Sequence, residues 1–189
     1  MRWANITEVI FEEEWSKIEK ECSNALQVMK STDKFLYRGI KHIAKPIERL
    51  HSPSNRKSTG TPVWIRNKID IFLKEKGFVA LRSNSVYATT SYEMAYLYSD
   101  DMLSPYIIIP TNSVAITWSP IIDDLFHWVK EVWRSHVSKQ ETKLNEIMNK
   151  ADYQSNNLLE AFNSGNEIMI NGYYWIIDSK YENKIRDLL

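Results

Sequence analysis

Glu167-Ile168-Met169-Ile170-Asn171-Gly172-Tyr173-Tyr174-Trp175-Ile176-Ile177 reads as two short β-strands around an Asn-Gly pair, the commonest signal for a two-residue hairpin. Isoleucine, tyrosine and tryptophan suit a pleated, half-buried surface. Just upstream, Leu158, Leu159, Ala161 and Phe162 predict a short helix that stops near Ser164-Gly165, where glycine tolerates the left-handed turn that ends many helices. Downstream, Asp178 is placed to cap a last helix over 180–189. A hairpin following several helices separates this chain from a doubly wound α/β protein, whose strands alternate with crossover helices.

The rest of the chain supports the same class. Behind a candidate cap at Thr7, the residues Ile10, Phe11, Trp15, Ile18, Cys22, Ala25, Leu26 and Met29 recur at helical spacing and predict an amphipathic helix over 8–30. Glu12, Glu13 and Glu14 sit near its positive end as a solvated face. Ser31-Thr32-Asp33 breaks the helix ahead of a strand, Phe35-Leu36-Tyr37-Arg38-Gly39-Ile40. Lys45 to Thr61, with Pro46, Pro53 and Gly60, reads as a long loop whose basic tip, Asn55-Arg56-Lys57, is a solvated turn with the charge to hold a phosphate. Thr61-Pro62 starts a helix that runs to Gly77.

Phe78-Val79-Ala80-Leu81 and Ser85-Val86-Tyr87-Ala88 read as strands about Asn84, and Ser91 caps a helix through Tyr98 that exits at Asp100-Asp101. Strands over 106–110 and 113–118 precede Ser119-Pro120, which repeats the helix-start signature. The polar stretch 138–154 is a charge-mixed surface, helical in part. The expected fold is α+β: one domain over 1–189, with an N-terminal helical segment at 1–31 and a core at 35–177.

Composition sets further bounds. The chain has 189 residues, 43% of them hydrophobic, enough for a sizeable core. Lys+Arg and Asp+Glu both number 24, so no net field draws it to nucleic acid or to an anionic membrane. The single cysteine, Cys22, excludes an internal disulfide and suits a reducing compartment. No apolar run has the length of a membrane span, and Met1-Arg2-Trp3 does not open a signal peptide. The expectation is a soluble, cytoplasmic protein. His42, His51, His127 and His136 lack metal-ligand spacing, and the scattered glycines form neither a P-loop nor a dinucleotide fingerprint.

The chemistry concentrates elsewhere. Arg38 within an apolar strand needs an anionic partner to offset its desolvation, and Gly39 beside it admits a close backbone or ligand. Then come Thr89-Thr90-Ser91 at the end of one strand and Glu167 at the start of another. In this order and context, Tyr37-Arg38-Gly39, Thr89-Thr90-Ser91 and Glu167 resemble the Arg–Ser/Thr–Glu motif of mono-ADP-ribosyltransferases, over roughly residues 35–177. The run Arg82 to Ser91, with Ala95 and Tyr98 following, is most similar to the phage and bacterial branch of that family.

The resemblance implies a split mixed or antiparallel β-sheet core with peripheral helices that binds NAD, as co-substrate, without metal. Arg38 would meet the phosphate and ribose side of NAD, and Gly39 the nicotinamide amide. Thr89 would hold Glu167, Thr90 and Ser91 would brace the strand end, and Tyr87 would pack beneath. Glu167 would be the catalytic carboxylate, gripping the ribose 2′-hydroxyl as positive charge develops on the sugar. One position departs from the pattern: two residues before Glu167, where toxins and ectoenzymes often carry an acceptor-choosing Glu or Gln, stands Gly165. Ser164 and Asn166 are near enough to add polar contacts. The implied partner is a macromolecular acceptor, protein or nucleic acid, and the implied location is the cytoplasm, a host's if the chain is phage-encoded. Two alternatives stay open: an NAD glycohydrolase, or a catalytically silent binding module presenting Trp3, Trp64, Trp133 and Trp175.

Overall fold

A computed structural model of the protein describes residues 3–40, 45–57, 60–100 and 103–189, with side chains from Phe11 onward. Its strands in chain order are β1 (Leu36–Arg38), β2 (Ile47–His51), β3 (Val86–Ala88), β4 (Tyr106–Pro110), β5 (Ala115–Trp118), β6 (Ile168–Asn171) and β7 (Tyr173–Asp178). They form a four-stranded sheet in the order β1-β4-β7-β2 and a three-stranded sheet in the order β3-β6-β5. Every pairing is antiparallel. With helices around both sheets, the molecule is α+β, as the element order implied.

The pair Asn171-Gly172 does not close a hairpin. Although β6 and β7 adjoin in sequence, β6 pairs with β3 and β5, and β7 pairs with β4 and β2. The chain therefore passes from one sheet to the other at this point. Gly172 adopts φ +130, and its backbone is bound by Ser52 rather than by a facing strand: Gly172 N donates to Ser52 Oγ at 3.0 Å, and Ser52 N donates to Gly172 O at 2.9 Å. The Asn171 amide donates to Asn84 O at 2.7 Å. A local turn rule gives way to two sets of longer-range pairings that bury Ile168, Ile170, Ile176 and Ile177.

Ser52 follows β2, a strand in the segment expected to be a loop. Ile47-Glu48-Arg49-Leu50-His51 has only two apolar residues, which suits an edge strand buried on one side. Its outward Arg49 lies 4.0 Å over the Tyr173 ring and pairs with Glu21 at 2.7 Å. The reverse correction applies to 78–81, which is irregular rather than a strand. Here Asn84 Oδ1 accepts from Leu81 N at 2.7 Å and Asn84 Nδ2 donates to Val79 O at 3.0 Å, supplying what a ladder would otherwise provide.

The N-terminal helix is two helices, α1 (Trp3–Glu21) and α2 (Ser23–Thr32), beginning ahead of Thr7. At the break, Asn112 N donates to Glu21 O at 2.7 Å and Asn112 Oδ1 accepts from Asn24 N at 3.0 Å. The turn between β4 of the larger sheet and β5 of the smaller one thus takes up backbone groups that a continuous helix would use. Cys22 is fully buried there, and burial raises its thiol to about 12, so it is an inert packing group. Of the tryptophans expected at the surface, Trp64 and Trp133 are exposed and Trp175 is buried; the Trp3 side chain, like His42 and Asp101, lies outside the described residues.

α4 (Tyr92–Tyr96) begins at its Ser91 cap and ends short of Tyr98, while α3 (Val63–Glu75) begins one residue later than expected, with Pro62 rather than Thr61 at the cap position. α5 (Leu125–Arg134) starts later than Ser119-Pro120 implied: Ser119 Oγ accepts from Ile122 N at 2.9 Å and closes only a turn, while Asp124 caps the helix by accepting from Phe126 N at 2.7 Å. α6 (Val137–Lys150), α7 (Leu158–Ser164) and, after a 3-10 turn capped by Asp178, α8 (Glu182–Leu188) complete the chain. The apolar interior has two parts. One takes in residues of both sheets together with α1, α2 and α7; the other joins α3, α5 and α6 with Met169 of β6.

Candidate functional site

The sheets meet at a single β-bridge, where Tyr37 N donates to Thr89 O at 2.7 Å and Thr89 N donates to Tyr37 O at 3.0 Å. This bridge sets the next residue of β1, Arg38, beside the end of β3. Arg38 Nη1 donates to Tyr87 O at 2.9 Å. No carboxylate stands within ion-pair distance of it among the described residues. Burial lowers its pKa, and the nearby Arg56 adds to the effect, while Glu167 opposes it. A guanidinium so placed still lacks the anion that its position in an apolar strand called for.

Gly39 is required by packing. A Cβ there would lie 2.3 Å from Ala95 O and 2.5 Å from the Tyr98 carbonyl carbon, so the backbone of α4 crosses directly over it. The Thr89 hydroxyl donates to Gly165 O at 2.7 Å. It therefore grips the loop carrying Glu167 two residues upstream and does not hold the carboxylate itself. Thr90 Oγ1 donates to Phe162 O at 3.0 Å, and Ser91 Oγ accepts from Met94 N at 3.2 Å as the cap of α4. Both brace the strand end, as expected of them, and both hydroxyls are engaged with backbone.

Glu167 precedes β6, fixed by its own N–H, which donates to Asp123 O at 2.9 Å. Its half-buried carboxyl faces Arg82, Asp124, Arg56 and Arg38. Its pKa is raised to about 7, first by desolvation and further by Asp124, against the lowering influence of the arginines. A carboxyl poised near neutrality beside several guanidiniums marks this cluster as a candidate functional site.

Gly165 caps α7 with φ +75, in the left-handed region. A glutamate or glutamine would be strained here, which gives the departure at this position a backbone cause. Its neighbours are occupied: Ser164 Oγ donates to Ala161 O at 2.7 Å, and Asn166 Nδ2 donates to Ser119 O at 2.9 Å. The Ser164 hydroxyl and the Asn166 amide nitrogen are thus engaged with backbone.

Tyr87 is more than a packing residue. Its ring carries Arg56 at 4.2 Å and Arg82 at 5.5 Å, and its hydroxyl donates to Arg82 O at 2.9 Å. Arg82 and Asp124 are site residues that sequence reasoning missed; Arg56 was read as part of a solvated tip with the charge to hold a phosphate. Asn55 and Lys57 are indeed exposed, but Arg56 turns inward. The one available signal was an arginine in the turn before a strand whose end carries hydroxyl residues. Asp124 accepts from the Tyr98 hydroxyl, whose pKa is raised by burial and by that hydrogen bond.

Among the described residues no group of histidine, cysteine and carboxylate side chains is arranged to hold a metal ion, and no helix is long and apolar enough to cross a membrane. Comparison with known proteins adds no relative: no protein family, curated protein or solved structure matches this chain.

Proposed function

We propose that the chain is an NAD-dependent mono-ADP-ribosyltransferase acting on a macromolecular acceptor. The observation that carries this reading is the convergence of Arg38, Thr89 and Glu167, distant in sequence, at the bridge between the two sheets. Arg38, without a carboxylate partner, suits the anionic ribose-phosphate side of a dinucleotide. Glu167, in its ionised form, accepts a hydrogen bond from the ribose 2′-hydroxyl and stabilises positive charge on the sugar as the bond from C1′ to nicotinamide breaks. The bonding pair leaves with nicotinamide, and an acceptor nucleophile then bonds to C1′. Thr89 acts as a positioning residue, since it anchors Gly165 and through it the approach to Glu167.

Incubation with labelled NAD and cell extract is expected to label a macromolecule, and Glu167→Gln to abolish that label. Equal labelling by the variant would overturn the role of Glu167. A second reading, NAD glycohydrolase, is favoured by one feature: the position two residues before Glu167, where an acceptor-choosing side chain would stand, is Gly165, held at φ +75. Free ADP-ribose released without any labelled acceptor would select it.

A further inference from the structure

Two arginines that the roles above leave unused both pack on the ring of Tyr87. Arg56 comes from the loop after β2, and Arg82 from the turn before β3. Arg82 is only 8% exposed. In each, Nη1 is buried and without a hydrogen-bond partner among the described residues.

Their backbones, by contrast, are pinned. Arg56 N donates to Ser83 O at 2.6 Å, and Arg66 Nη1 donates to Arg56 O at 2.7 Å. Arg82 N donates to Asp70 Oδ1 at 2.9 Å, and the Tyr87 hydroxyl donates to Arg82 O at 2.9 Å. The two guanidiniums are thus carried on a fixed frame, which lowers the ordering cost of binding.

The acids nearby do not neutralise them. Asp70 is engaged by the Arg82 backbone, and Asp124 by Phe126 N and the Tyr98 hydroxyl. Glu167 faces both arginines, but no ion pair forms with either. Buried charge-bearing donors left unpaired are costly, and a ligand with several anionic oxygens would relieve both together.

We propose that Arg56 and Arg82, both packed on Tyr87, form a preorganised anion pair that takes a phosphate or diphosphate group. A multiply charged oxyanion fits two guanidinium forks arriving from separate elements, with Arg38 adding charge close by. The group has two possible sources, the diphosphate of a dinucleotide or a phosphate on the acceptor. As an anion site the pair stands whether or not the chain cleaves NAD; only the first source rests on the transferase reading.

Calorimetry at low salt with inorganic diphosphate, and separately with ADP-ribose, tests this on the full chain. Wild type is expected to bind diphosphate, and Arg56→Gln to weaken it by about tenfold to a hundredfold. Arg82→Lys, which keeps charge but loses the fork, is expected to weaken it too. Arg49→Gln, on the edge strand, is the control and leaves affinity unchanged.

If ADP-ribose weakens in parallel in Arg56→Gln, the dinucleotide is the source; if ADP-ribose is unaffected while diphosphate is lost, the phosphate belongs to the acceptor. Arg56 half-lines a loop, so its variant is readable even where a substitution at buried Arg82 impairs folding. Wild-type affinity in Arg56→Gln, or no binding of either probe to wild type at millimolar concentration, would overturn the proposal. Diphosphate binding lost in Arg56→Gln, in a protein that neither labels an acceptor nor splits NAD, would keep the pair and remove the transferase reading.

Discussion

Glu167 ties ionisation to both stability and the proposed chemistry. Its carboxyl, raised from an ordinary 4.5 to about 7, stays protonated in the folded chain over a range where the unfolded chain has already ionised. The folded state then holds the extra proton, so this group's contribution is full below 4.5 and is lost as pH rises through about 7. The melting temperature of wild type is expected to fall relative to Glu167→Gln across that window, and a constant difference between the two would refute the buried-carboxyl account. Transfer activity should move oppositely, rising as Glu167 ionises, with an apparent pKa near 7 in a pH–rate profile of the free protein.

Gly39 offers a separate check, because a Cβ 2.3 Å from Ala95 O has nowhere to go. Gly39→Ala is expected to cost about 1–3 kcal/mol in urea unfolding. Arg38 stood out as a charge inside an apolar strand, and Thr89 and Glu167 through their likeness to the Arg–Ser/Thr–Glu motif. Arg56 was legible only as part of a basic tip with the charge to hold a phosphate, and its meeting with Arg82 was not, since only the folded chain brings both onto one tyrosine ring.

Among elements, the errors have a common source. Asn171-Gly172 carries a strong local turn signal, yet β6 and β7 each find partners elsewhere, and nothing within those residues encodes Ser52 as the group that receives the turn. Likewise β2 looks polar alone and becomes a strand only because β7 offers it an edge. Helices fared better, for their caps and periodicity are local; α4 and α7 lie where Ser91 and Gly165 bound them. Ser52 makes the crossing testable. Its buried hydroxyl accepts from Asn171 Nδ2 at 3.2 Å and from Gly172 N at 3.0 Å, so Ser52→Ala leaves those donors short of an acceptor. The expected loss is about 1–3 kcal/mol in denaturant unfolding, and a loss near zero would mean that the crossing holds without it.

At the scale of the molecule, each sheet brings one half of the candidate site. Arg38 belongs to the four-stranded sheet, whereas Thr89 and Glu167 sit at strand ends of the three-stranded one. The α+β class was readable from the succession of elements. The division of the strands between two sheets was not, because adjacency in sequence misassigned the last pair. That division has a mechanical consequence. The segment from Glu167 to Asp178 runs unbroken through both sheets like a common axle, with Gly172 at the crossing. Because Glu167 sits at one end of that axle while Arg38 rides on the opposing sheet, the spacing of guanidinium and carboxylate is set by how the two sheets are seated on each other, and the Tyr37–Thr89 bridge beside them pins that seating.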